Sequence, residues 1–307
     1  MVLKSKATRN EVYMELIPAK TIISRTKNPC YWFGCDFNMN IYKGCCHGCI
    51  YCDSRSECYH VDNFDEVRAK DNAINIIEQE LKSKRKTGVV GTGAMSDPYN
   101  PHEAKHQLTR KSLLLLDKYG FGLNMVTKSD LITRDIDIYK SINTHSPLCV
   151  NITITTFNDE LCKKLEPNVA VSSKRFDALT QLAQNGIFTG ILLMPILPYI
   201  NDTEQNITDI VTTAHECGVK SIYPAFGVTL RQNQREYYFN KLDKLYPRLR
   251  HKYEIRYGES YSCSSPFENK LWSLFCTLCK KYGIIYQMPK IIEAYKAEAF
   301  SQQTSLF

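Results

Sequence analysis

Long apolar runs are missing from this 307-residue chain. No stretch of about 18 or more apolar residues exists, which excludes a membrane-spanning helix. Leu113–Leu116 is only a short apolar patch on a helix. The start, Met1-Val2-Leu3-Lys4-Ser5-Lys6, has neither an apolar core nor a cleavage site, so no signal peptide is expected. No internal repeat and no low-complexity segment is present. Charge of one sign is not in large excess: the net +7 permits an anionic partner without requiring one. Gly91-Thr92-Gly93 lacks the spacing of a nucleotide-binding fingerprint.

Cysteine is abundant instead, at thirteen residues, six of them between Cys35 and Cys58. So many thiols in a cytosolic protein point to metal or redox chemistry rather than disulfides. Cys45, Cys49 and Cys52 form a Cys-x3-Cys-x2-Cys loop with no obvious local fourth ligand. Three soft thiolates with an open fourth position suit an iron–sulfur cube that keeps one iron free. A closed zinc site would want four protein ligands. The competing readings are a zinc loop completed by Cys46, Cys58 or His60, or plain buried thiols. Gly44 and Gly48 let the backbone turn sharply around bound atoms, and Tyr51 is an aromatic placed to lie against a flat ligand.

Along the chain, short β-rich runs alternate with helical ones. Strands are expected at 38–43, 88–91, 121–126, 148–155, 187–194 and 221–226. Helices are expected at 64–84, 102–118, 136–142, 173–184 and 202–217. Apolar strands separated by helices imply parallel βα units. Six units with the cysteine loop after the first strand fit an α/β architecture, a partial (β/α)6 TIM-type barrel. In such barrels the chemistry sits at the C-terminal strand ends. Residues 1–36 read as an N-terminal extension, 37–227 as the barrel core, and 228–307 as a C-terminal extension covering the barrel or contacting substrate. The tail Ser301–Ser305 is polar and expected to fray.

Cys45, Cys49, Cys52 and Tyr51 resemble the signature of the radical S-adenosylmethionine (SAM) superfamily. Ser96-Asp97-Pro98-Tyr99, Thr127-Lys128, Thr153-Ile154-Thr155, Glu166-Pro167, Lys174-Arg175 and Met194-Pro195 occur in the order seen in its branch of spore photoproduct lyase and DNA-photolyase-like relatives. The resemblance implies the same barrel and a [4Fe-4S] cluster on Cys45, Cys49 and Cys52. It further implies S-adenosyl-L-methionine on the open iron, reductively cleaved to a 5′-deoxyadenosyl radical that abstracts hydrogen from substrate. A reductant such as flavodoxin or ferredoxin is then needed, and a reducing, anaerobic cytoplasm is the natural setting. The reaction class is lyase-like or hydrogen-abstracting.

Cofactor contacts are expected from Lys128 to the methionine carboxylate, from Thr153 and Thr155 near the ribose or carboxylate, and from Gly91, Thr92 and Gly93 to the methionine ammonium. Tyr51, Ser96 and Asp97 complete that set. Each has a plainer reading: an exposed strand-end lysine, β-branched strand residues, or an Asp-Pro turn. Glu166 and Arg175 suggest an ion pair organising the loop between them.

Two departures bear on substrate. The repair enzyme's cysteine hydrogen donor aligns with Ala94, and the tyrosine after its last cluster cysteine aligns with Asp53. Radical generation is therefore expected, and repair of spore photoproduct by the known relay is not. Nucleic acid is a candidate partner, because residues 231–256 interleave eight Arg and Lys with Tyr237, Tyr238, Tyr246 and Tyr253. An amphipathic helix with half-buried tyrosines explains the same pattern. Lys82–Lys86 ends a helix, where cations suit the dipole. Cys276 and Cys279, with Cys263, invite a second cluster, but Leu271, Leu274, Phe275 and Leu278 recur at helical spacing, so packing is the simpler account. The alternatives are a radical enzyme acting on a peptide or small molecule, a non-catalytic iron–sulfur nucleic-acid-binding or redox-sensing protein, and a zinc-stabilised module. Nothing in the sequence sets the oligomeric state.

Overall fold

Six apolar runs become six parallel strands: β1 Phe37–Met39, β2 Val89–Thr92, β3 Gly122–Thr127, β4 Leu148–Thr153, β5 Thr189–Leu193 and β6 Ser221–Pro224. In the computed structural model, which describes residues 14–304 and side chains as far as residue 297, they lie side by side in chain order. Ile23–Arg25 adds a seventh, antiparallel strand against β1. The outer wall consists of α1 Ala73–Ser83, α2 Leu108–Lys118, α3 Ile136–Asn143, α4 Ser172–Gln184 and α5 Glu204–Glu216.

Alternation along each strand divides its side chains between two cores. On β4, Leu148, Val150 and Ile152 join the large core under the helices, while Cys149 belongs to an inner cluster with Val89, Phe188 and Leu192. Full burial of a side chain such as Ile152 is worth roughly 1.5–3 kcal/mol. The expected partial (β/α)6 barrel is the observed architecture.

Several expected elements differ in extent. The helix expected at 64–84 begins only at Ala73; Arg68–Lys70 is a strand of a small side sheet with Leu16–Ile17 and Tyr42–Lys43. Ala69 is fully buried, and its backbone pairs with Tyr42, which fixes the extended form. The strand expected at 38–43 accordingly splits, Phe37–Met39 going to the barrel and Tyr42–Lys43 to the side sheet. The helix expected at 102–118 breaks at Gln107, whose φ is +52°. There the buried Glu103 carboxylate accepts the amide N–H groups of Thr109 (2.9 Å) and Arg110 (3.2 Å), capping α2. A short helix, Asp159–Leu165, was not anticipated.

Residues after β6 do two jobs. Gly227–Thr229 pairs with Ser262–Ser264, and the helices Gln234–Leu245 and Leu249–Tyr257 between them pack against the cysteine loop. The chain then returns as α6, Glu268–Tyr282, whose Leu271, Phe275 and Cys279 enter the large core. Ile285 bridges in parallel onto Ser221 of β6. A last helix, Met288–Thr304, sets Ile291 and Tyr295 into the inner cluster. It carries Ser301–Thr304, expected to fray, in helical form; Ser305, like Met1–Lys6, lies outside the described residues.

Candidate functional site

The cysteine loop is held by backbone bonds to segments far away in sequence. Cys45 N–H donates to the Phe64 carbonyl (2.7 Å) and Ile50 N–H to that of Leu165 (2.9 Å). The Asn168 amide donates to the Cys46 carbonyl (2.9 Å), the Ser96 hydroxyl to that of Gly44 (2.5 Å), and the Gln234 amide to that of Tyr51 (3.0 Å). Gly44 sits at φ +81°, and a Cβ there would lie 2.3 Å from the Glu66 carbonyl oxygen, so the turn into the loop requires glycine.

This scaffolding brings the thiols close enough to act on one another electrostatically. Cys45 and Cys49 are buried and Cys52 half-buried. Burial pushes the Cys45 thiol up to about 12, with Asp97 and Cys52 adding to the rise. Burial likewise raises Cys49, with Lys128 opposing the rise and Glu166, Cys52 and Cys45 adding to it. Burial makes the Cys45 and Cys49 thiols costly to ionise, and a metal cluster would supply positive charge beyond that of Lys128. Among the described residues no three His, Cys, Asp or Glu groups converge closely enough to grip one ion. A cube asks something wider, since each thiolate takes a different iron. The donor set fits such a cluster.

Beside the thiols stands a buried charge cluster. Glu166 and Arg175 form an ion pair (2.5 Å) with both side chains fully buried. The Tyr51 hydroxyl donates to Glu166, and the Thr155 hydroxyl reaches it at 3.5 Å. Arg175 also donates to the carbonyls of Ala170 (2.7 Å) and Thr153 (2.8 Å). Burial opposes the Glu166 charge, but Arg175 and Lys128 outweigh it and hold the carboxyl below the usual range. The Lys128 ammonium lies 5.8 Å from the centre of the Tyr51 ring. Burial works against its charge as well, yet Cys49, Glu166 and Cys52 raise it overall. Among the described residues no carboxylate stands within ion-pair distance of Lys128.

The remaining expected contacts sort by what their atoms already do. Gly91, Thr92 and Gly93 end β2 at the same side of the barrel; a Cβ on Gly93 would fall 1.9 Å from the Val126 carbonyl oxygen, so its place there is steric. Thr153 and Thr155 are buried, with Thr155 drawn toward Glu166. Ser96 braces the loop through Gly44. Asp97 accepts from the Thr127 hydroxyl (2.6 Å) and from the amides of Lys128 (2.8 Å) and Tyr99 (2.9 Å), which fixes the strand end that carries Lys128.

Several participants escaped the sequence reading. His47, between two of the cysteines, is buried with Nδ1 3.6 Å from Asp97 Oδ2, and burial lowers its pKa. Its position inside the motif was the available signal. Gln234 gave none, because a lone glutamine on a distant helix announces nothing. Asp53 accepts from the Tyr59 hydroxyl (2.9 Å) and the Thr229 hydroxyl (3.2 Å) and pairs with Arg231 (3.1 Å), tying the loop to the 227–264 segment.

Two of the tyrosines and three of the cations in the basic and aromatic stretch 231–256 are engaged in packing or internal pairing. Tyr238 and Tyr253 are buried and hydrogen-bonded to each other (2.9 Å), and Tyr253 donates to the Pro198 carbonyl (3.0 Å). Arg235 donates to the carbonyls of Gly258 and Ser260, and Arg250 pairs with Asp243 and Glu254. Cys263 lies in the apolar cluster beside the cysteine loop and Cys279 in the main core, so these two thiols serve separate packing regions.

The family model "Radical SAM superfamily" matches residues 39–211. A protein of Methanocaldococcus jannaschii, described as uncharacterized, is 36% identical over 194 residues, covering 62% of this chain and 70% of that one. An uncharacterized Mycobacterium tuberculosis protein is 24% identical over 257 residues, covering 81% and 75%. Among solved structures, spore photoproduct lyase complexed with dinucleoside spore photoproduct aligns with a TM-score of 0.62 at 13% identity, over 87% of this chain and 79% of that one. A radical S-adenosylmethionine methyltransferase from Kitasatospora setae aligns with a TM-score of 0.54 at 10% identity, over 88% and 62%. At such identities the structural likenesses speak to fold alone, whereas the family model spans the cysteine loop and more than half of the sequence. The chain belongs to the radical SAM superfamily, a superfamily of enzymes of radical chemistry.

Proposed function

We propose that Cys45, Cys49 and Cys52 hold a [4Fe-4S] cluster and that S-adenosyl-L-methionine binds beside it at the C-terminal strand ends. The observation carrying this reading is the Lys128 ammonium, beside Cys49 and Cys52 with no carboxylate within ion-pair distance among the described residues. It awaits an anion, and the methionine carboxylate supplies one. When bound, the cluster and S-adenosylmethionine supply one-electron cleavage to a 5′-deoxyadenosyl radical. The protein's part is orientation. Asp97 fixes the strand end of Lys128, Glu166 holds the Tyr51 ring, and Gly91–Gly93 brings the end of β2 toward the ammonium. Thr153 and Thr155 offer hydroxyls toward the ribose or carboxylate. Ser96 and Asp97 act through the loop and through Lys128 rather than by touching the cofactor. Flavodoxin or ferredoxin serves as the reductant.

The hydrogen-abstraction substrate is not spore photoproduct handled by a cysteine–tyrosine relay. Ala94 carries no hydrogen-donating thiol, and Asp53 is an anchor bound by Tyr59, Thr229 and Arg231. Nucleic acid as partner rests on the likeness to the repair enzyme. A peptide or small-molecule substrate is favoured by the internal pairing of Arg235 and Arg250, which removes cations from a phosphate-binding stripe.

The test is anaerobic reconstitution with iron and sulfide, followed by dithionite and S-adenosylmethionine. Formation of 5′-deoxyadenosine is expected. A full cluster with no cleavage product leaves only an iron–sulfur binding protein.

A further inference from the structure

At the opposite end of the barrel from the cysteine loop, a cavity of about 600 Å³ opens beside the N-terminal ends of β1 and β2. Two chain segments line it. Arg25 comes from the antiparallel edge strand, in register with Phe37, and Lys84, Arg85 and Lys86 follow the end of α1. Phe37 and Pro29 supply an apolar wall. Asp36 is the carboxylate in the lining, and its Oδ2 already accepts the Val89 amide N–H (2.8 Å).

Among the described residues, none of these four cations has a carboxylate within ion-pair distance, whereas neighbouring Lys82 pairs with Glu78. Four cations against one carboxylate leave three positive charges in excess around one space. The dipole of α1 accounts for cations in its last turn. It does not account for Arg25, which another element brings to the same place against mutual repulsion. Lys84 Nζ lies 5.4 Å from the centre of the Phe37 ring, so charge and aromatic wall are already side by side.

We propose that this cavity is a second ligand site, distinct from the barrel mouth, that takes an organic di- or triphosphate. The cations meet the phosphates, and Phe37 with Pro29 meets the apolar or aromatic part of the ligand. The volume is that of a small-molecule pocket. A walled cavity is a poorer match to a nucleic-acid backbone, which needs a continuous groove. The site opens at the other end of the strands from the thiols. It therefore adds a regulatory or second-substrate input to the enzyme.

Calorimetric titration of the full chain, in saturating S-adenosylmethionine, tests the assignment with ATP and inorganic tripolyphosphate as probes. ATP is expected to bind one per chain with Kd below about 1 mM, and tripolyphosphate more weakly because it has nothing for Phe37. The exposed double substitution R85E/K86E is expected to weaken ATP at least about tenfold without moving the unfolding transition. Absence of saturable ATP binding overturns the proposal. So does displacement of ATP by S-adenosylmethionine, or unchanged affinity in R85E/K86E. A single-stranded DNA oligonucleotide that outcompetes ATP with a steep salt dependence replaces the ligand class with nucleic acid.

Discussion

Replacing Arg175 by Met removes one half of a fully buried ion pair and leaves the Glu166 carboxylate with no ion-pair partner, only the more distant Lys128 ammonium acting on it. An uncompensated buried charge of this kind costs about 3–5 kcal/mol. The guanidinium also leaves the Ala170 and Thr153 carbonyls without their donors, at about 1 kcal/mol each when such groups stay buried. A loss of at least about 3 kcal/mol is expected in anaerobic urea unfolding of the cluster-free chain, a large share of ordinary domain stability. The pH dependence has a definite sign. In the native protein Glu166 is held below the usual carboxylate range, so its contribution is present above the unfolded pKa and lost as pH falls through the folded one. Without Arg175, burial dominates and the folded pKa rises. Stability of Arg175→Met should then fall as pH climbs from about 5 toward 7, the reverse of the native slope. Because the single variant risks failing to fold, the double variant E166L/R175M is measured beside it. Removing both charges should restore at least half of the loss, as neutral replacement of buried pairs often does. A single-variant loss under about 1 kcal/mol, or an unreversed slope with no recovery in the double variant, refutes the argument.

Three shorter expectations follow from the same site. Ala at Cys45, Cys49 or Cys52 should reduce reconstituted iron and sulfide to background, while Cys46→Ala and Cys58→Ala should retain them; retention in any of the first three would point to another donor. Lys128→Ala should weaken S-adenosylmethionine binding by roughly ten- to a hundredfold with iron content unchanged, matching loss of a hydrogen bond to a charged group, and Lys128→Arg should recover part of it in equilibrium binding. Asp53→Ala should lower amide-exchange protection across 227–264 by about 1–2 kcal/mol of opening free energy, since three donors lose one acceptor.

The barrel was legible because its central strands are buried on both faces and read as mostly apolar runs such as Leu148–Thr153. The cysteine loop was legible because its three cysteines fall within eight residues of one another in sequence. What stayed hidden depends on distant partners. Arg68–Lys70 is a strand only because Tyr42 and Leu16 flank it, and local pattern there favours continuing the helix. The break at Gln107 depends on a carboxylate turning back to cap the next helix. Asp159–Leu165 is a brief helix carried by its Asn158 cap, too short for its periodicity to stand out. The tyrosines of 231–256 read equally well as a binding stripe or as core, and only the Tyr238–Tyr253 bond and the cluster around it decide for core.

The wall helix Glu268–Tyr282 lies downstream of the segment that packs on the cysteine loop. The chain thus crosses the mouth before it completes the wall. Joining Ile285 to β6 closes a loop of about 60 residues, at roughly 4 kcal/mol of chain entropy by the logarithmic estimate. Such long-range closure comes late in folding. During synthesis the three thiols emerge long before Leu271 and Phe275, so the loop and the segment packed on it exist before the wall helix does. The order of the chain itself thus separates in time the making of the cysteine loop from the docking that finishes the wall.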